Sequence, residues 1–510
     1  MAGSKKHIIN KVFVEVQTTS KSKAFEIKDR LDMFLKEQVF PELEKYFENL
    51  EELVEHNIIR IDRLELDMNV RPDFSYEDVQ NAIVKSVGTQ INEQVQSKSK
   101  NMSLDHEDSK VFLSERQSDV ATFFYFLEQG VLPWWGDKKA LHFLEQRERF
   151  LEVIRSNVFK NKLIESLKRP IIRQRLVKQL ADELILQIVI NLYENIEGVS
   201  GILTEKILTH EFNDFLSQVS SKNRELLWEE LFLFFQTKNV LRLYHVLKKV
   251  QEIPQIKMSK EQQWLNAILE FLKSEKSKGG MIHKKLSEVK PINKKLENDI
   301  LLENLSEDLD ALQSEEKDAE VKKSEEVQNG LILQDEEIQK EISYEQQSEY
   351  YIENAGLLLL HPFLKHFFEH CDLLDENKNF KNPALAVHAL HYIATKKEKQ
   401  LECAMVFEKF ICNIPIQEPI DRNIKLSETI KDEADELLKA ALENWEGLKT
   451  SSIDLLRNEF VQRPGKLILT EEHPKITMER KTQDILLDRV PWNISIIKLP
   501  WKPKLIFVNW

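Results

Sequence analysis

Residues 272–343 contain no Phe, Tyr or Trp, in a chain whose aromatic content is 9%. This gap constrains the fold more than any other feature, because a packed interior is built from large apolar side chains. The segment is rich in Glu, Lys, Ser and Gln. Over 301–350, 16 acidic residues face 4 lysines, a local charge of −12 where the whole chain carries −14. Such a stretch buries too little apolar surface to offset the entropy lost on ordering. It reads as a disordered or solvated helical spacer over 276–345. A single core running through all 510 residues is thereby excluded.

Outside 301–350 the chain is almost neutral. Its 42% apolar content is enough for real cores, and 510 residues imply about three domains. Only 12 glycines and 15 prolines interrupt it, which favours long helices with few tight turns. No basic face is present, so nucleic acid is not expected as a partner. Three cysteines (Cys371, Cys403 and Cys412) form an odd set without C-x-x-C spacing, against a disulfide framework or a structural zinc site and in favour of a reduced, cytosolic setting. No uncharged apolar run reaches eighteen residues, so no membrane span is expected. The opening MAGSKKHIINKVFVEV alternates and has no cleavage-site pattern, so it reads as a strand and not as a signal peptide.

The expected fold class is mainly α with small β elements (α+β). A first domain, 1–95, reads as strand–helix–strand. Val12, Val14 and Val16 would share one strand face. Ile27, Leu31, Phe34 and Leu35 would form a helical stripe that ends or kinks near Pro41. Leu64, Leu66, Met68 and Val70 alternate with polar residues as on a half-buried strand. A helical domain spans 111–275. In ATFFYFLEQGVLPWWGD, Gly130 is a left-handed helix cap with proline three residues later. The spacer occupies 276–345. The last domain, 346–510, is a helical block whose cleanest helix starts at Ser427 and carries Ile430, Ala434, Leu437, Leu438, Ala441, Leu442 and Trp445 on one stripe. The helix over SSIDLLRNEFVQR stops at Pro464-Gly465. The period then changes to two in KITMERKTQDILL, ISIIKL and KLIFVNW. Ile494, Ile496, Leu505 and Phe507 would supply the buried face of terminal strands bracketed by Pro491, Pro500 and Pro503.

The chemistry available is sparse. HFFEH at 366–370 matches the H-x-x-E-H pattern, in which His366 and His370 share a metal and Glu369 acts as base, with Glu402 or Glu428 as possible third ligand. The pattern lies in a strongly apolar helix, and His361, His388 and His391 show that histidine is common in this region. It is better read as ordinary helix sequence than as a zinc-hydrolase site. Phosphate-binding glycine motifs and G-x-S-x-G do not occur, so no catalytic residue and no cofactor are assigned. Trp134 and Trp135 either cover a helix end or meet a partner. Arg463, Pro464, Gly465, Pro491, Trp492, Trp501 and Trp510 complete the candidate interaction residues. A general adaptor is the other non-enzymatic reading.

Taken in order, the landmarks HIINKVFVEV, VFPELEKYF, IIRIDRLELDM, FFYFLEQGVLPWW, ENAGLLLLHPFL, ALAVHALHYIAT, LKTSSIDLLRNEFVQRPGKL and VPWNISIIKLPW resemble the contractile injection system tape measure family of phage-tail-like particles. The resemblance implies a non-enzymatic protein of the inner tube, assembled in the cytoplasm and retained in the particle. Its implied partners are tube and baseplate subunits and the tube terminator. It does not call for the HFFEH histidines as ligands. A ruler made of one helix would span about 765 Å, whereas a single globule of this length has a radius of gyration of about 24 Å. Folded blocks joined by a spacer lie between those limits: either the blocks open inside the tube, or the protein nucleates assembly with its folded ends and measures little.

Overall fold

The computed structural model describes residues 7–10, 12, 14, 16, 21–53, 57–61, 64–68, 75–99, 112–136, 140–193, 221–237, 348–470 and 472–510. The expected spacer 276–345 lies outside them. The chain divides into two compact units, one of residues 1–176 with 416–419, the other of 177–415 with 420–510. The division at 176/177 falls inside the span expected as one helical domain.

In the first unit, α1 (Lys21–Phe34) runs through a π-helical turn, Leu35–Val39, into α2 (Phe40–Leu53). The turn stands immediately before Pro41, which has no N–H to give to an α-helical ladder. It also turns Val39 fully into the core. Strand β1 (Asn57–Ile59), α3 (Tyr76–Ser99) and β2 (Phe112–Ser114) follow, and β1 pairs antiparallel with β2. Phe34, Val39, Leu43, Val87 and Ile91 form a small core, against which Ile61, Leu64 and Leu66 pack.

Two expectations about strands need correction here. Leu64, Leu66 and Met68 are half-buried while Glu65 and Asp67 are exposed, as the alternation requires, yet 64–68 joins no ladder. Val12, Val14 and Val16 are 45%, 47% and 44% exposed, so they form no buried strand face. Among the described residues β1 has only β2 beside it, and nothing pairs with the valines.

The larger core of this unit is aromatic. Helix α4 (Glu115–Gln129) opens with a capping box, in which Ser114 accepts from Gln117 N and the Gln117 side chain accepts from Ser114 N. It buries Phe123, Phe124, Phe126 and Leu127 completely. Phe159 of α6 (Asn157–Ser166) stacks on Phe123 at 5.7 Å, and α5 (Arg147–Ile154) adds Phe150. Then α7 (Pro170–Gln179) begins with proline in its first turn. As expected, α4 ends at Gly130 with φ 74°. A Cβ there would also meet Arg175 Nη2 at 2.9 Å and Ile416 O at 3.2 Å, so this glycine serves conformation and close approach together.

In the second unit, α8 (Asp182–Tyr193) and α9 (Ser221–Thr237) are joined at Asp182, whose Oδ1 accepts from Arg224 Nε at 2.7 Å and from the buried Trp228 Nε1 at 2.8 Å. After β3 (Ser348–Ile352), a 3-10 turn over Ala355–Leu360 buries AGLLLL entirely and leads into α10 (His361–His370). Gly356 is obligatory there, because a Cβ would lie 1.8 Å from Phe460 O. Helices α11 (Pro383–Thr395), α12 (Val406–Ile411), α13 (Glu428–Asn444) and α14 (Ile453–Leu456) follow. Ser427 caps α13, and all seven residues of the expected stripe are buried. A π-helical turn, Arg457–Val461, extends α14 and stops before Pro464.

The closing sheet has order β3-β4-β5-β7-β6, with β4 (Gly465–Leu469), β5 (Lys475–Met478), β6 (Ile496–Ile497) and β7 (Ile506–Asn509). Neighbours are antiparallel except β5 and β7, which run parallel with Ile476 opposite Val508. Of KITMERKTQDILL only KITM is strand; Thr482–Arg489 is a 3-10 helix, started by Asp484 accepting from Lys481 N at 2.9 Å. The expected face also has the wrong parity. Ile497, Leu499, Ile506 and Val508 are buried, whereas Ile496 is 47% exposed and Ile494, Leu505 and Phe507 are half-buried.

Candidate functional site

Four tryptophans of the C-terminal block, Trp445, Trp492, Trp501 and Trp510, each tie one segment to another through an indole N–H that reaches a backbone carbonyl. Trp501 is buried between Phe368 and Phe380, with ring centroids at 5.2 and 5.3 Å, and donates to Ile411 O at 2.9 Å. Trp492 lies half-buried against Phe363 and donates to Leu359 O at 2.9 Å. Trp510 donates to Ile494 O at 2.8 Å while its own carbonyl accepts from Arg480 Nε at 2.8 Å. Trp445 donates to Leu486 O at 3.0 Å. Burying an indole without such an acceptor would cost free energy. Pro491, Pro500 and Pro503 are exposed beside these anchors.

Arg463 is completely buried. Its guanidinium meets Asp484, donates to Glu459 O at 2.9 Å and lies over the Phe460 ring. The adjoining backbone is held as well: Arg463 O accepts from Ala355 N, and Pro464 O accepts from Glu479 N, both at 3.0 Å. RPG therefore ends the π turn and starts β4 at Gly465, in contact with the AGLLLL turn and the strand after it. In the first unit Trp134 and Trp135 are half-buried and pack edge to face at 5.6 Å. Trp135 donates to Thr122 Oγ1 at 3.3 Å and carries Arg60 over its ring at 4.7 Å.

A buried polar group inside the second unit escaped the reading of the sequence. Glu402 and Lys409 are fully buried and paired at 2.9 Å. Gln179 accepts from Glu402 N at 2.8 Å and donates to Ile420 O at 2.6 Å. Nearby, Glu408 Oε1 accepts from Asn354 at 2.7 Å and lies 2.9 Å from His391 Nδ1. His388 places its two ring nitrogens 2.9 Å from Glu398 O and 2.8 Å from Asp421 O. Every residue of α12 is buried, Glu408 and Lys409 included. The available signal was charged residues inside MVFEKFIC, a segment too apolar to have a solvent face. Burial holds the His388 and His361 pKa values below the ordinary range, pushes the Cys403 thiol up to about 12 and lowers Lys502 to about 8. Lys502 lies 3.9 Å above the Phe410 ring and donates to Asn413 Oδ1 at 2.9 Å. All three cysteines are free.

His366, Glu369 and His370 of HFFEH occupy the exposed face of α10, while Phe367 and Phe368 are buried. The His366 and His370 rings are 3.8 Å apart, and His370 Nδ1 lies 3.4 Å from Glu433 Oε2. Glu369 is turned to Lys365 at 3.5 Å. Neither nominated third ligand reaches the pair: Glu402 is buried with Lys409, and Glu428 pairs with Lys431 at 2.9 Å. Among the described residues no three His, Cys, Asp or Glu side chains converge as a metal cage.

Among the described residues, no helix is long and apolar enough to cross a membrane. Comparisons with curated proteins and with solved structures give no match. The family model described as contractile injection system tape measure protein matches residues 6–510, so it takes in the N-terminal landmarks, the GVLPWW turn, the AGLLLL turn, the RPG junction and the tryptophan-anchored ending together. The chain belongs to the contractile injection system tape measure protein family.

Proposed function

We propose that this structural component of a contractile injection particle fixes the length of the inner tube without catalysing a reaction. The observation that carries the reading is the aromatic-free, acidic stretch 272–343, which stands between segments rich in apolar residues. On this reading the N- and C-terminal parts bind other particle proteins, and 276–345 is the measuring span. The partners are inner-tube and baseplate subunits and the tube terminator, met in the cytoplasm during assembly. The exposed prolines beside Trp492 and Trp501 and the half-buried Trp134 and Trp135 are the proposed contact points. The buried Arg463 and Trp501 support them from within.

The test is to lengthen the span. Inserted residues should lengthen the tube by about 1.5 Å each if the span is helical, and by up to roughly 3.3 Å each if it is extended. Electron micrographs of assembled particles give the lengths. Normal particles of unchanged length would replace measurement with nucleation as the role, and normal particles without this protein would overturn both.

A further inference from the structure

We propose that His366 and His370 form a two-histidine site for a divalent transition-metal ion on the surface of the C-terminal block, with Glu433 as the residue that orients His370. The site is separate from the tube-length reading and from hydrolysis. The residues stand four apart on α10, so their side chains emerge from the same helix face one turn apart. Both are exposed, and their rings already lie 3.8 Å apart, tilted by 49°. The χ2 torsion of histidine is broad, so a small ring rotation aims one nitrogen of each ring at a shared ion.

Glu433 is the second, independent observation. It comes from α13, and its Oε2 faces His370 Nδ1 at 3.4 Å. Closing from 3.4 Å onto Nδ1, this carboxylate would hold a proton there and leave Nε2 with the lone pair that a metal needs, the usual way in which a ligating histidine is oriented. The groups around the pair leave that lone pair available. Glu369 is engaged by Lys365, and Phe367 and Phe368 point into the core. With no third protein ligand at hand, water completes the coordination. The ion is therefore held at the surface and is exchangeable, unlike one caged in a structural site. Neutral imidazole nitrogen suits Cu²⁺, Ni²⁺ and Zn²⁺, with Cu²⁺ bound most tightly.

The test uses the full chain, titrated with Zn²⁺ and separately with Cu²⁺ by calorimetry. His366→Asn, His370→Asn and the double variant measure the background from the other histidines, of which the chain has 13 in all. One equivalent should bind to the wild type, and either single substitution should weaken it on the order of 10–100-fold. Glu433→Gln should weaken it about 10-fold, the usual cost of losing an outer-shell partner. The Cu²⁺ spectrum should show two coordinated nitrogens in the wild type and one in each single variant. Both histidines are exposed, so the metal-free variants should keep the wild-type unfolding midpoint. Identical titrations for wild type and double variant would overturn the proposal, as would a loss confined to one histidine. A one-nitrogen spectrum in the wild type would overturn it independently of any variant.

Discussion

Lys409 and Glu402 show how the second unit holds charge in its interior. Each is fully buried, and each faces the other at 2.9 Å. Replacing Lys409 with Met takes the counter-charge from a carboxylate that has no access to water. The expected loss is about 3–5 kcal/mol, seen as a lower denaturation midpoint of the C-terminal block. Glu402→Gln combined with Lys409→Met should recover most of it, because the charge goes together with its partner. If the double variant is no more stable than Lys409→Met alone, the pair is not what limits stability. His361 and His388 make a second prediction. Their folded-state pKa values are lowered, by burial above all, against the raising effect of the carbonyls they meet. Below the ordinary value of about 6.5 the unfolded chain takes up protons that the folded block refuses. Stability is therefore full above that pH and falls as pH drops through it. Urea midpoints followed by tryptophan fluorescence should be lower at pH 5.5 than at pH 7.5, and His361→Asn should narrow the difference. The histidine effect was not legible in the sequence, where His361 and His388 look like ordinary surface residues; for the ion pair, Lys409 inside the apolar MVFEKFIC was a signal of buried charge, but its partner Glu402 was not identifiable. Gly130 was legible, because a left-handed cap followed by proline is a local pattern that needs no knowledge of the far chain. Gly356 was not, since its reason is a backbone oxygen about a hundred residues away, at Phe460.

At the scale of elements, periodicity gave helix α13 and its whole buried stripe, because seventeen residues contain enough turns to define a face. The closing strands are two and four residues long. Their sequence is apolar at both parities, so the buried face is decided by hydrogen-bond register, which tertiary pairing sets. That is why Ile497 and Ile506 are inside where Ile496 and Phe507 were expected. The same pairing locates the stabilising part of the ending. Truncation after Lys498 removes the buried Trp501 and β7, which joins β5 to β6. Losing an aromatic of that size from a core costs about 3–5 kcal/mol, so the truncated chain should unfold at a clearly lower temperature in its C-terminal block. An unchanged melting temperature with lost particle assembly would make the ending a docking strand, and no change in either would remove its importance.

For the whole molecule, composition was the most informative level. The landmark segments cover both ends and part of the middle of the span 6–510 that the family model matches, and the helix-dominated class was evident from scarce glycine and proline. The spacer remains a proposal from composition. In limited proteolysis the first cuts should fall within 276–345 and leave the N- and C-terminal cores intact. First cuts within 112–193 would contradict it. The path of the chain sets the order in which the first unit is completed. Residues 416–419 belong to the first compact unit although the residues on both sides of them belong to the second. Within that unit Arg175 reaches both Leu127 O and Gln417 O, the latter 242 positions along the chain. On a ribosome adding roughly 5–20 residues per second, the first unit waits about 12–50 seconds for its last piece. During that wait the place for Gln417 beside Arg175 is empty, so the nascent N-terminal half is incomplete until most of the protein has been translated. Production as two separately expressed halves, cut anywhere in the spacer, would leave the N-terminal half permanently in that unfinished state.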